Sequence, residues 1–186
     1  MPTPSVRLAT PADIPLLPAI ERAAAALFPP ADLPPALRAH TVAPGELRRA
    51  QRERRLWVAV AADGTVAGFA LASRDGERAY LDEIDVHPRH AGRGLGRALV
   101  RAVADAACRQ GLRSLALTTF GHLPWNAPFY ARLGFVVLDD SQLCGALAGA
   151  LAREAAAGLR QRVAMRLALP APCGTMAPVP PPAADS

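Results

Sequence analysis

Apolar residues recur with two periods along this chain, and the switches between them mark its elements. Val6 and Leu8 alternate with polar neighbours, which predicts a short strand at 5–8. Thr10-Pro11-Ala12-Asp13 reads as a helix opening, with Thr10 as N-cap, Pro11 in the first position and Asp13 in the first turn. Ile14, Leu17, Ile20 and Ala24 share one face of that helix, which Phe28-Pro29-Pro30 ends. The Pro-rich segment after it predicts a short helix at 34–40, and Pro44-Gly45-Glu46 opens another that runs to Glu53. Three strands follow at 56–61, 66–73 and 79–86, separated by Asp63-Gly64 and Asp75-Gly76 turns, so they form an antiparallel meander.

The period then returns to 3.6. Leu95, Leu99, Val103 and Ala107 form one stripe of a helix at 96–110, with Val100 beside it and Gly111 as its C-terminal stop. A mostly apolar strand at 114–119 is followed by a helix at 125–132, a strand at 135–138, an Ala-rich helix at 142–159 and a last strand at 161–169. From 170 to 186 the chain is rich in Pro and Ala without periodicity, which predicts a disordered tail. The expected fold is α/β (α+β): one domain over 1–169, with a mixed, mostly antiparallel sheet of six to seven strands and helices on both faces.

Composition narrows the class. A chain of 186 residues is long enough for a real core. No apolar run approaches a bilayer-spanning length, and Met1-Pro2-Thr3-Pro4-Ser5 has neither the charged nor the apolar part of a signal peptide, so no membrane role is expected. Cys108, Cys144 and Cys173 are scattered without metal-ligand spacing, which predicts no metal and a reducing, cytoplasmic setting. The net charge of +5 comes from Arg alone, since the chain has no Lys. Its runs, such as Arg52-Glu53-Arg54-Arg55, are mixed with Glu on a predicted helix and lack interleaved aromatics. That describes a solvated face, so no nucleic-acid partner is expected.

Residues 86–97 carry the strongest chemical signal. A strand runs into Val86-His87-Pro88-Arg89-His90-Ala91-Gly92-Arg93-Gly94-Leu95-Gly96-Arg97 and then into a helix. The first N–H groups of a helix have no partner within it, and the helix dipole adds partial positive charge there. A phosphate is the natural occupant, and three glycines remove the Cβ atoms that would keep it off the backbone. The spacing fits neither the Walker pattern nor the dinucleotide pattern. Alone, such a turn is a weak signal, since a tight strand-to-helix connection without a ligand has the same form.

A second constellation changes the weight of the first. The strand at 115–119 is followed by Asn126, by Tyr130 four residues on, and by Gly134-Phe135. With Ile84-Asp85-Val86-His87-Pro88 and Ala91-Gly92-Arg93-Gly94-Leu95-Gly96, these residues follow the two main motifs of one family in its order and separation. Over nearly all of 5–169 the chain resembles the GNAT superfamily of acetyl-CoA-dependent N-acetyltransferases. One departure stands out: Ala91 occupies a position where that family usually has Gln or Arg.

The resemblance implies transfer of an acetyl group from acetyl-CoA, the cosubstrate, to a primary amine of a small molecule or peptide. It implies that the CoA pyrophosphate rests on Ala91, Gly92, Arg93, Gly94, Leu95, Gly96 and Arg97. The pantetheine arm would pair with main chain near Ile84 and Val86, and Asn126 would contact it. A splayed strand pair would leave a cleft for the thioester. A homodimer is also compatible with the resemblance. The departure at Ala91 supports an alternative, a non-catalytic acyl-CoA-binding or sensor module on the same fold.

The reaction needs a base for the ammonium, a donor for the developing oxyanion and an acid for the leaving thiolate. Tyr130 is the candidate acid by its motif position, and a phenol's ordinary pKa lies near that of a thiol. Asp82, Glu83 and Asp85 place three carboxylates within four strand residues, an unusual density. Strict alternation would put Asp82 on the face of Ile84 and Val86, and Glu83 and Asp85 on the other. Glu83, then Asp82, is the favoured base. A role for these carboxylates in binding a cationic substrate, or in pairing with Arg, is equally open. His87 and His90 are further alternatives. Phe28, Asp85, Thr119 and Trp125 are expected to line the acceptor pocket.

Overall fold

The computed structural model describes residues 5–143 and 145–170; Cys144, Cys173 and all but the first residue of the expected tail lie outside the described residues. Seven strands form one sheet: β1 (Ser5–Leu8), β2 (Leu56–Val60), β3 (Val66–Asp75), β4 (Arg78–Val86), β5 (Ser114–Phe120), β6 (Val136–Val137) and β7 (Arg162–Ala168). Their order is β1-β2-β3-β4-β5-β7-β6. All neighbours pair antiparallel except β4 and β5, which run parallel. Six α-helices among the described residues accompany them: α1 (Leu17–Ala25), α2 (Pro35–Arg38), α3 (Pro44–Arg52), α4 (Leu95–Arg109), α5 (Ala127–Ala131) and α6 (Gly145–Ala156).

Alternation along the meander decides which helix packs where. Ala59, Ala70 and Ala72 point to one face and cluster with Leu95, Leu99 and Val103 of α4. Val58, Phe69 and Leu71 point to the other and cluster with Leu17 and Ile20 of α1 and Leu47 and Ala50 of α3. The alanines let α4 approach closely, while larger side chains fill the space under α1 and α3. Tyr80, Ala116, Leu138, Leu147 and Ala164 form a third cluster under α6, so the Ala-rich helix covers its own sheet.

The first helix starts later than expected, and Thr10 does not cap it. A 3-10 turn, Ile14–Leu16, comes first, and α1 begins at Leu17. Pro18 has no N–H to give and crowds the carbonyl four residues back, so the α-helical ladder cannot run through from Thr10. Asp13 ties the entry instead. Its carboxylate accepts from the Thr10 N–H at 2.7 Å and the Thr10 hydroxyl at 2.8 Å. Arg7 adds two more bonds, at 2.7 and 2.9 Å. The expected 125–132 helix and 135–138 strand contract to Ala127–Ala131 and Val136–Val137.

Two irregularities of β4 position the site. Beside β5 its pairing covers only Arg78, Ala79 and Tyr80, opposite Ser114, Leu115 and Ala116, although both strands continue beyond them. The strands therefore part. Beside β3, Leu71 faces Glu83 while Ala72 faces Leu81, so Asp82 is an extra residue without a partner. This is a β-bulge, and it resets the alternation of the strand.

Candidate active site

The glycine turn forms one wall of a groove of about 560 Å³. Gly92 and Gly94 have φ of +73° and +80°, and a Cβ at either would meet no atom within 4 Å. The space above the turn is open, and both residues adopt the left-handed backbone that favours glycine. Gly94 is the N-cap of α4 and offers no side chain to its first N–H groups, the kind of helix start that suits an anion. Ile84, Val86, Ala91, Gly92, Gly94, Leu95, Gly96, Arg97 and Asn126 all line the groove. Arg93 is exposed and does not line it. His90 does, with a buried Nδ1 that has no hydrogen-bond partner.

A second cavity, of about 300 Å³, opens where β4 and β5 part. Phe28, Asp85 and Thr119 line it, with Tyr130, Glu83 and the rim residue Asp82. Phe28, Ile84, Asp85, Asn126 and Tyr130 line both spaces, so the groove and the cavity meet at these side chains. Thr119 is buried and its Oγ1 accepts from Nδ2 of Asn126 at 2.9 Å, which leaves Asn126 Oδ1 buried without a donor.

Two expected placements are corrected. Trp125 lines the groove rather than the cavity, and it is 48% exposed beside Leu27. It precedes α5 on the turn that ends at Asn126, outside the strands that wall the cavity. Asp82 does not share the face of Ile84 and Val86. The bulge turns it to the face of Glu83 and Asp85, where it accepts a hydrogen bond from Ser73 at 2.8 Å.

The cavity raises the proton affinity of its acids. Burial, then the nearby Glu21 carboxylate, pushes Glu83 up to about 7. Asp85 is held well above its ordinary value by burial and then by Glu83 and Glu21. Glu21 is 8% exposed, and burial raises it although both its oxygens accept from the Val42 N–H at 3.0 Å. Burial also raises Tyr130, followed by the charges of Glu83 and Asp85. The expected match between phenol and thiol acidities therefore does not hold here.

Sequence reasoning missed Glu21, Glu154 and Arg162. Arg162 makes a bidentate pair with Glu154 at 2.8 and 2.9 Å, reaches Thr118 at 3.3 Å, and lies 4.5 Å over the Phe120 ring. Glu21 had a visible signal: it is a carboxylate beside Ile20 and Ala24 on the apolar side of α1. The Arg162–Glu154 pair had none, because it joins the end of α6 to the start of β7 only once the turn between them has docked the two elements.

The family model of the acetyltransferase (GNAT) family matches residues 18–135, and the chain belongs to this family. It is 42% identical over 86 residues to a streptothricin acetyltransferase of Streptomyces lavendulae, covering 44% of each chain. It is 35% identical over 107 residues to a mycothiol acetyltransferase of Kineococcus radiotolerans, covering 54% of this chain and 34% of that one. The matches thus span less than half the length of these curated relatives. Among solved structures, the ribosomal-protein-S18-alanine N-acetyltransferase of Escherichia coli superposes with a TM-score of 0.65 at 21% identity, over 94% of this chain and 99% of that one. The N-acetylglutamate synthase of Neisseria gonorrhoeae, complexed with coenzyme A and N-acetyl-glutamate, gives 0.68 at 18% identity, over 91% of this chain and 36% of that one. Both share the fold. Among the described residues no helix is long and apolar enough to cross a membrane.

Proposed function

We propose that this protein transfers an acetyl group from acetyl-CoA to a primary amine of a small molecule or peptide, by direct attack in a ternary complex in the cytoplasm. The meeting of groove and cavity at Ile84, Asp85, Asn126 and Tyr130 carries this reading. A thioester held along β4 and an amine held in the acidic cavity would come together there, which removes the entropic barrier of a bimolecular encounter.

The residues present suit such a cosubstrate. The open glycine turn, the free N–H groups of α4 and Arg97 would hold a pyrophosphate, with Ala91 contributing backbone only. The edge of β4 beyond Tyr80, left by β5, offers main-chain groups to the pantetheine arm. When bound, acetyl-CoA supplies the electrophilic carbonyl and the leaving thiolate. Glu83, with its proton affinity tuned near neutrality, accepts the amine proton. Tyr130 stays protonated and donates to the departing sulfur. Its proton transfer is uphill while Glu83 is charged, because that charge is one cause of the raised phenol. Once Glu83 has taken the amine proton, that contribution is gone, while burial and Asp85 still hold the phenol high. The reading as an idle CoA sensor leaves this tuned acid cluster without work.

Thermal melting with acetyl-CoA tests the first half. A ligand at a hundred times its Kd stabilises by about 2.7 kcal/mol, so Tm should rise clearly. Thiol release with an amine panel tests the second. No shift at millimolar acetyl-CoA would reject the reading, and a shift without thiol release from any amine would leave the sensor.

A further inference from the structure

Resting on the acetyl-transfer reading, we propose that the acceptor is a compact aliphatic diamine with no carboxylate beside either nitrogen. Glu21, Glu83 and Asp85 line the cavity, and among the described residues none of the three forms an ion pair. Ionising a buried carboxyl without a cation is costly, and a cationic ligand offsets that cost. The guanidinium in the wall, Arg162, is already occupied by both oxygens of Glu154 and by Thr118. A carboxylate on the ligand would find that cation spent and three carboxyl groups nearby.

Two orphaned acceptors locate the reacting nitrogen. Asp85 Oδ2 and Asn126 Oδ1 are buried without hydrogen-bond partners, and both residues line the groove as well as the cavity. An ammonium carries only donors and satisfies both. Glu21 lines the cavity and not the groove, so it faces the part of the ligand away from the thioester. A second ammonium belongs there. A cavity of about 300 Å³ lies at the small end of ligand sites and suits a short chain between the two nitrogens.

Thiol release from acetyl-CoA with three amines decides the matter: 1,4-diaminobutane, 1-aminobutane and 2,4-diaminobutanoate. The diamine should exceed each of the others in kcat/KM by roughly 100-fold, the scale of one charge contact made or broken in a desolvated site. Equal values for the diamine and monoamine, or preference for the amino acid, would overturn the proposal and leave acetyl transfer standing. Silence with all three would overturn the proposal, and thiol release with the wider amine panel then decides acetyl transfer separately. In Glu21→Gln the ratio of kcat/KM for diamine over monoamine should fall about tenfold. An unchanged ratio would remove the second ammonium from Glu21, and the wild-type panel decides alone should that variant not fold.

Discussion

Ser73 donates a hydrogen bond from its Oγ to Oδ1 of Asp82 at 2.8 Å. The bulge makes this contact, because Asp82 faces no residue of β3 and its side chain turns to the outer rim, near Glu46 and Arg55. Glu83, next along the strand, stays on the cavity wall. The two carboxylates are therefore unequal in reach. Asp82→Ala should lower kcat by less than about threefold, whereas Glu83→Gln should lower it by roughly 10²- to 10⁴-fold, the usual worth of a general base. Thiol release at saturating amine compares them, and the reverse ranking would assign the base to Asp82.

How the site divides into legible and illegible parts follows from the range of each interaction. The glycine turn is local: its positive φ values and the helix it opens are properties of consecutive residues. Tyr130 and Asn126 were picked out by the family motif they match, and both line the groove and the cavity. The face of Asp82 was not, since strict alternation assumes an unbroken ladder and a bulge depends on how two strands pair. The side taken by Trp125 depends on how the turn before α5 packs. The spent charge of Arg162 requires α6 and β7 to be docked. Tertiary pairing, rather than residue type, sets each of these.

The base role proposed for Glu83 links activity to acid. With its proton affinity raised to about 7, kcat/KM should fall about tenfold per pH unit below that value. Stability should move the other way. A carboxyl raised on folding binds its proton more tightly in the folded state, so its contribution is complete below its ordinary value of 4.5 and is lost as pH rises through about 7. Asp85 and Glu21 shift in the same direction. Asp13 is opposite: lowered to about 2 by Arg7, it stabilises above its ordinary 3.8 and loses that on acidification. Tm of the ligand-free protein should decline between pH 5 and 7, and Glu83→Gln should flatten the decline. A Tm that climbs over that interval in both proteins would refute the assignment.

Tyr130 packs edge-on against Phe129 and Phe135, with centroids 5.0 and 5.6 Å away. Its ring is thus held by packing that phenylalanine would keep. Tyr130→Phe should fold, shift in Tm with acetyl-CoA as the wild type does, and lose roughly 100-fold in kcat. Retained turnover would move the acid role to water.

Gly64 and Gly94 share one backbone strain and differ in what lies above them. Their φ values are +85° and +80°, and a Cβ at either meets nothing within 4 Å. Replacement by Ala should cost each about 1–2 kcal/mol, the penalty of the left-handed region. For a chain of this size that is a fall in Tm of roughly 2–8 °C. Gly64 sits in the turn between β2 and β3, away from the groove. Gly94 borders the space assigned to the pyrophosphate, so only there does the added methyl group meet the ligand. Calorimetric titration with CoA should show unchanged affinity in Gly64→Ala and at least tenfold weaker binding in Gly94→Ala, a difference of about 1.4 kcal/mol. Equal affinities at equal cost in Tm would show that the turn is only a connection, and that the phosphates lie elsewhere.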